Sequence, residues 1–154
     1  MDDYRIEKQR LAVTVSLASG ETVRGHVFVQ PSLYGVHQHA GPHALFNDPE
    51  PFFPLELEDG GVLLLAKARV VDVSGASELA EHELRRTAAR EAMMEITLST
   101  GLSYVGTVML ELPSHRPRLL DLLNDARDRF LTLYTSEGVH FINRALIERV
   151  RPLD

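Results

Sequence analysis

The chain contains the same sequence pattern twice, and this repeat constrains its fold more than any other feature. Residues 17–20 and residues 98–101 both read Leu-x-x-Gly, and a second glycine, Gly25 or Gly106, follows five positions later. The two occurrences lie 81 positions apart. An internal repeat has to be recognised first, because overlooking it misassigns the whole fold. The chain is therefore predicted to consist of two copies of one small unit.

The correspondence continues through the later part of each copy, where the spacing is 77 positions. Residues 45–48 then correspond to residues 122–125, and Phe53 is matched with Phe130. The shorter spacing predicts that the second copy has lost four residues between the two blocks. A copy of about 70 residues has a marginal core by itself, so we expect the two copies to pack against each other.

Alternation of apolar and polar residues predicts β-strands in both copies. The alternating runs are residues 11–17, 23–29, 94–98 and 104–110. Gly25 and Gly106 each fall inside such a run, where a glycine marks a sharp bend or a close backbone approach. With the apolar runs that follow, each copy is predicted to have about five short strands, an arrangement typical of a β-sandwich or a small barrel.

The units are predicted to span residues 4–74 and residues 91–154. A connecting helix is predicted over residues 75–90, because its acidic residues come early and its arginines late, an order that complements the helix dipole. A second short helix is predicted within residues 116–126, which are rich in leucine. Residues 31–51 are rich in Gly, Pro and His and are predicted to form a long loop, and loops of this length are often functional.

The Leu-x2-Gly-x4-Gly pattern within alternating strands resembles the first sequence motif of the Sm and Sm-like family. Residues 141–144, followed by Ile147 and Val150, resemble the second motif of that family. The resemblance implies a mainly β fold, with two five-stranded, strongly bent Sm-like barrels related by internal duplication and joined by the connecting helix. The repeated Leu-x-Asn-Asp-x4-Phe element is closer to uncharacterised bacterial Sm-like domains than to the RNA-binding members.

RNA binding is an alternative that the resemblance implies and the sequence opposes. RNA-binding Sm proteins place an Asp and an Asn in a tight loop after the second strand, where this chain has an insertion. The Arg-Gly pair expected in the second motif is Arg144-Ala145 here and Lys67-Ala68 in the first copy. The net charge of −6 also argues against binding a phosphate backbone.

Composition and motifs exclude several other classes of protein. The absence of cysteine excludes disulfides and thiolate zinc sites. No apolar run approaches the roughly 18 residues of a membrane span, and the acidic start of the chain lacks the order of a secretion signal. We therefore expect a cytoplasmic protein. No nucleophile, phosphate-loop or zinc-protease motif is present, so we expect neither an enzyme nor a cofactor.

Two equivalent Asn-Asp pairs are the most prominent polar candidates, Asn47 with Asp48 and Asn124 with Asp125. Their recurrence suggests two equivalent ligand sites. Asn and Asp also end helices and build turns by bonding to nearby backbone groups. The turn-forming role is the interpretation that we favour.

Three histidines of the first long loop, His37, His39 and His43, form the one cluster that resembles a metal site. Neutral imidazole is a common ligand of zinc, copper and nickel. The second copy has no matching residues, and histidines in a loop rich in Gly and Pro are commonly just solvated. A metal-binding regulatory protein that uses these residues is therefore the alternative hypothesis.

The sequence favours a non-catalytic binding or adaptor module that mediates protein–protein association. The exposed edge strands of a small barrel have to be paired or protected. We expect the edges of the two copies to pair with each other or with a second chain, so that the protein is either a homodimer or a closed monomer, or binds a protein partner.

Overall fold

The computed structural model describes residues 9–29, 41–75, 90–110, 119–125 and 127–153. The predicted connecting helix over residues 75–90 lies outside these ranges, except for Gly75 and Arg90, which are the ends of strands. The described residues are mainly β, as the alternation predicts. They form ten antiparallel strands and two short α-helices.

Each half of the chain has the same order of elements. The first half contains β1 (Gln9–Leu17), β2 (Thr22–Val29), α1 (Gly41–Asn47), β3 (Phe52–Glu56), β4 (Val62–Ala66), a 3-10 turn (Lys67–Arg69) and β5 (Val70–Gly75). The second half contains β6 (Arg90–Leu98), β7 (Ser103–Leu110), α2 (Leu119–Asn124), β8 (Phe130–Thr135), β9 (Gly138–Asn143), a 3-10 turn (Arg144–Leu146) and β10 (Ile147–Pro152). The prediction of five strands in each copy is confirmed.

All ten strands belong to one sheet with the order β10-β6-β7-β8-β9-β5-β1-β2-β3-β4. The first half contributes β5-β1-β2-β3-β4 and the second half contributes the equivalent series β10-β6-β7-β8-β9. The halves meet where β5 pairs with β9, with Val73 opposite Phe141 and Gly75 opposite Val139. The described sheet is not closed, since its order ends at β4 on one side and at β10 on the other.

The first turn of each half has the same geometry. Gly20 and Gly101 have φ angles of 95° and 93°, in the left-handed region that glycine adopts without steric cost. The Gly20 N–H donates to the Leu17 carbonyl and the Gly101 N–H to the Leu98 carbonyl, each at 2.9 Å. The residues near positions 20 and 101 therefore occupy like surroundings, as the repeat predicts.

The second glycine of each half allows two strands to cross closely. A Cβ atom at Gly25 would lie 2.4 Å from the Glu56 carbonyl oxygen, and a Cβ atom at Gly106 would lie 2.4 Å from the Tyr134 carbonyl oxygen. Real Cβ atoms do not approach a backbone oxygen this closely, so only glycine fits. The close backbone approach expected from the sequence is thus present in both halves.

The hydrophobic core extends across the junction between the halves. One cluster combines first-half residues with three buried residues of the second half, Phe130, Val139 and Phe141. The other cluster combines second-half residues with Val71 of β5. Because each half would be marginal alone, this shared burial supplies apolar packing that neither half provides by itself.

The structure differs from the sequence-based interpretation in the segment between β2 and β3. Within the predicted loop 31–51, residues Gly41–Asn47 form α1. This helix is too short for periodicity to reveal it, although Pro42 lies near its start, where proline is tolerated. The leucine-rich segment of the second half contains α2, as predicted.

The structure also corrects one detail of the repeat. Phe53 lies opposite Leu65 in β4, and Leu131 lies opposite Ile142 in β9. Since Leu65 and Ile142 keep the 77-residue spacing, Leu131 is the counterpart of Phe53, and the match of Phe53 with Phe130 is wrong. We use counterpart for two residues at the same place in the two halves. The counterpart of Phe130 is Phe52.

Candidate functional site

The Asn143 side chain makes hydrogen bonds across the junction between the halves, at one end of the β5–β9 ladder. Its Nδ2 donates to the carbonyls of Lys67 and Val70 at 3.2 and 2.9 Å. Its Oδ1 accepts from the Ala145 N–H at 3.0 Å and so caps the 3-10 turn of its own half. This buried amide links the turns of both halves, and its counterpart in the first half is Ala66.

Asp72 and His140 form a polar pair within the same junction. The Nδ1 atom of His140 on β9 lies 3.0 Å from each carboxylate oxygen of Asp72 on β5. The Tyr104 ring packs against the imidazole, with the ring centroids 4.3 Å apart. Burial of Tyr104, reinforced by the negative charge of Asp72, raises the pKa of the phenol above its usual value.

Helix α1 of the first half packs over β8 of the second half. The Asn47 Oδ1 accepts a hydrogen bond from the Phe130 N–H at 2.7 Å. The Phe46 and Phe130 rings lie 6.0 Å apart. One turn earlier on α1, His43 Nε2 lies 3.3 Å from Asp128 Oδ2. The helix therefore contributes a backbone cap, an aromatic contact and a polar contact to the junction.

The Asn-Asp pairs occupy equivalent but separate places, and both aspartates close turns. Asp48 Oδ1 accepts from the Glu50 N–H at 2.9 Å, and Asp125 Oδ1 accepts from the Arg127 N–H at 3.0 Å. Their cationic partners differ, however. Asp48 pairs at 2.6 Å with the Lys67 ammonium, whose side chain is fully buried, whereas the Arg127 partner of Asp125 is exposed.

The Asp125 carboxylate is stabilised in its ionised form. Hydrogen bonds from the Arg127 side chain lower the pKa of Asp125 to about 2.

The asparagines differ more strongly than the aspartates. Asn47 is partly buried against β8, whereas Asn124 is exposed and its side chain makes no hydrogen bond within the described part of the chain. Ligand binding by these four residues stays a prediction.

The metal hypothesis involves residues that the structure describes only in part. His37 and His39 lie outside the described residues. His43 contacts Asp128 as part of the junction. Within the described residues, no group of three or more His, Asp or Glu side chains is arranged to hold a metal ion. The assignment of a metal to these histidines therefore stays a prediction.

The outer face of β3 and β4 carries large apolar side chains that solvent reaches. Phe52, Val62 and Leu64 are 55%, 57% and 70% exposed. Their counterparts in the second half are Phe130, Val139 and Phe141, which are 1%, 1% and 0% exposed because the first half covers them. We call Phe52, Val62 and Leu64 the β3–β4 face. Exposed apolar patches of this kind mark interaction sites.

The complementary surface lies at the other end of the sheet. Phe46, Val70 and Val73 of the first half are buried in the junction, and their counterparts are Leu123, Ile147 and Val150. These three second-half residues are only partly buried. We call this surface of β10 and α2 the β10–α2 face. Among the described residues, the chain thus has both sides of its internal junction a second time, with the β3–β4 face exposed and the β10–α2 face only partly buried.

The β3–β4 face was not predicted from the sequence, although one signal for it was present. Residues 62–65 read Val-Leu-Leu-Leu, a continuous apolar run rather than an alternating one. Such a run is typical of a strand that is covered on both faces. The Asp72–His140 pair had no local signal, because the two residues lie 68 positions apart.

Comparison of the chain with protein-family models, with curated proteins and with solved structures gives no match. The function therefore has to be inferred from the residues and their geometry. Neither of the helices among the described residues has the length and apolar character needed to cross a bilayer.

Proposed function

We propose that this protein is a non-catalytic protein-binding module built from two Sm-like halves, which associates with further copies of itself through the edges of its sheet. In the proposed assembly, β4 of one copy pairs with β10 of the next. The observation that carries the proposal is the match between the exposed β3–β4 face and its buried counterparts in the junction. The shared strand order and the paired glycines support the Sm-like assignment.

The internal junction supplies the expected pairing between copies. In the β5–β9 ladder, Val73 lies opposite Phe141. The counterparts of these residues place Val150 of one copy opposite Leu64 of the next. Neighbouring residues of a strand direct their N–H and C=O groups to opposite sides. The Lys67 N–H points toward β3, where it donates to the Pro51 carbonyl. Leu64 is an odd number of positions away, so its N–H and C=O groups point away from β3. The backbone N–H and C=O of Leu64 are therefore available to β10 of the next copy.

Apolar burial supplies the driving force for this pairing. Fully burying a Val, Leu or Phe side chain is worth roughly 1.5–3 kcal/mol. Association would bury the three side chains of the β3–β4 face against Leu123, Ile147 and Val150 of the next copy. An uncovered sheet edge with an apolar face is otherwise an aggregation hazard. A specific partner of matched shape removes that hazard.

The proposed contact is head-to-tail, because β4 and β10 are different surfaces. Contacts of this kind generate a closed ring when the rotation between copies closes, and an open filament when it does not. The smallest closed assembly is a homodimer that contains four halves. Closure satisfies both free edges of every copy, and we therefore expect a closed particle of defined mass.

Light scattering after size-exclusion chromatography tests the proposal. We expect a particle whose mass is that of two or more whole copies of the 17.2 kDa chain. Leu64→Lys places a charge in the centre of the contact and should give a folded monomer. Leu102→Lys is the matched control, because Leu102 is 48% exposed and lies in the turn between β6 and β7, not on β4 or β10. A wild-type monomer at all concentrations, or an unchanged mass for Leu64→Lys, would refute the proposal.

A further inference from the structure

We infer that the short helix α2 of one copy binds over β3 of the next copy, where the Asn124 side-chain oxygen accepts a hydrogen bond from the Phe52 N–H. This inference rests on the proposed self-association and specifies a second contact of the same interface. It assigns a role to the exposed side chain of Asn124, which makes no hydrogen bond within the described residues.

The template for this contact is α1 on β8. Asn47 is the last residue of α1, and its Oδ1 accepts from the Phe130 N–H at 2.7 Å. The His43 side chain, one turn earlier, is 18% exposed where it contacts Asp128. The first half thus uses the end of a short helix to cap the first backbone N–H of a strand in the other half.

Helix α2 presents the same arrangement without a partner. Asn124 is the last residue of α2, as Asn47 is of α1. Leu120 takes the place of His43 and is 60% exposed. Leu123 takes the place of Phe46 and is only partly buried. The three α1 residues that contact Phe130 or Asp128 therefore have exposed or partly buried counterparts on α2.

Strand β3, which would receive α2, has a backbone N–H group at the position that matches Phe130 of β8. The Lys67 N–H donates to the Pro51 carbonyl at 2.8 Å, and the Arg144 N–H donates to the Arg129 carbonyl at 3.0 Å. Neighbouring residues of a strand direct their N–H groups to opposite sides. The N–H groups of Phe52, which follows Pro51, and of Phe130, which follows Arg129, therefore point away from β4 and β9. For Phe130 that N–H is the one capped by Asn47. For Phe52 it is the one available to Asn124.

This contact would determine the alignment of the copies. Apolar burial on the β3–β4 face is not directional, and the single central pair Val150–Leu64 leaves room for slippage. A shift of two residues along β4 would keep the same side chains facing inward, so apolar burial alone does not exclude it. It would, however, separate the Asn124 oxygen from the Phe52 N–H. The helix therefore acts as a positioning element that selects one alignment.

The test combines an affinity measurement with a site-specific one. We compare wild type, Asn124→Ala and the control Asp121→Ala, which changes another exposed polar residue of α2. Sedimentation equilibrium measures the dissociation constant of the assembly, and hydrogen exchange followed by NMR measures the Phe52 amide. Asn124→Ala should weaken association about fivefold for each contact between copies, the equivalent of about one hydrogen bond, whereas Asp121→Ala should not.

The Phe52 amide distinguishes this contact from a general loss of affinity. Its exchange should slow on association in wild type and in Asp121→Ala, and should stay fast in assembled Asn124→Ala. If wild type is monomeric, the proposed function itself fails. If wild type associates and Leu64→Lys disrupts it, but Asn124→Ala has wild-type affinity and a protected Phe52 amide, only the role of α2 is refuted.

Discussion

His140 binds Asp72 across the junction between the two halves, with Nδ1 3.0 Å from each carboxylate oxygen. Neither counterpart repeats this chemistry, because Leu63 stands in place of His140 and Arg149 in place of Asp72. A buried polar pair contributes to specificity when alternative pairings would leave its members unsatisfied. We interpret the pair as the feature that makes β5 select β9 of the same chain over β4 of another.

Removing the Asp72 charge should destabilise the folded chain. Asp72→Asn keeps the size of the side chain but replaces one acceptor oxygen with an NH2 donor, so the bond from His140 is weakened in a buried site. We expect a loss of about 1–3 kcal/mol in the free energy of unfolding, measured by urea denaturation. Glu91→Gln, on the exposed part of β6, is the control. Equal stability of both variants would show that the pair contributes nothing to folding.

Tyr104 should ionise at a higher pH than a solvated tyrosine. Burial, followed by the charge of Asp72, raises its pKa in the folded protein. A group whose pKa is raised by folding stabilises the fold fully below its unfolded pKa, about 10 for tyrosine, and that stabilisation is lost as the pH rises further. Ultraviolet titration should show a late phenol that is absent in Tyr104→Phe. An Asp72→Asn variant should titrate earlier than wild type but later than free tyrosine.

The two equivalent aspartates should differ in their importance for stability. Asp48→Ala leaves the fully buried Lys67 ammonium without its carboxylate, and removal of one member of such a pair costs about 3–5 kcal/mol. Asp125→Ala removes only a pair with an exposed arginine, besides the same kind of turn contact, so its loss should be much smaller. Thermal and urea unfolding measure both. Adding Lys67→Met to Asp48→Ala should recover much of the loss, and no recovery would contradict this account.

Gly106 should tolerate no side chain. An alanine Cβ would meet the Tyr134 carbonyl at 2.4 Å and the Leu133 Cγ at 2.9 Å, so β7 and β8 would have to separate. We expect Gly106→Ala to cost about 3 kcal/mol or more. Gly101→Ala is the comparison, since nothing lies within 4 Å and only the left-handed φ opposes it, at about 1–2 kcal/mol. A reversed order of the two losses would contradict the close approach.

Ala66→Asn should strengthen both the fold and the assembly. Ala66 precedes the 3-10 turn Lys67–Arg69 without a side-chain cap, whereas its counterpart Asn143 caps the equivalent turn. An Asn here should add about 1 kcal/mol to the free energy of unfolding. In the proposed assembly its amide would also reach the Arg144 and Ile147 carbonyls of the next copy.

The serine variant separates these two effects. Ala66→Ser can cap the turn but is too short to bridge two copies, so only Ala66→Asn should lower the dissociation constant measured by sedimentation. Equal dissociation constants for the two variants would contradict the proposed arrangement of copies, while leaving the effect on folding unchanged.

Local sequence was sufficient to predict the strands of each half and the role of the glycines that shape them. Alternation around Val13 and Ile96 identifies strands because neighbouring side chains point to opposite faces. It was insufficient for α1, whose seven residues are too few for helical periodicity. The constant spacing also matched Phe130 with Phe53 instead of Phe52. The segment before β8 has one more residue than the segment before β3, and the turn after β8 has one residue fewer than the turn after β3.

The sequence by itself determined that this chain has two related β halves, each with a glycine turn and a close strand crossing. Those properties depend on side-chain alternation and on the conformational freedom of single glycines, which act over a few residues. Only the tertiary structure decided that β5 pairs with β9, that Asp72 meets His140, and that Phe52, Val62 and Leu64 stay uncovered. Those relationships join residues far apart in the chain, and exposure is a property of what packs against a strand, not of the strand itself.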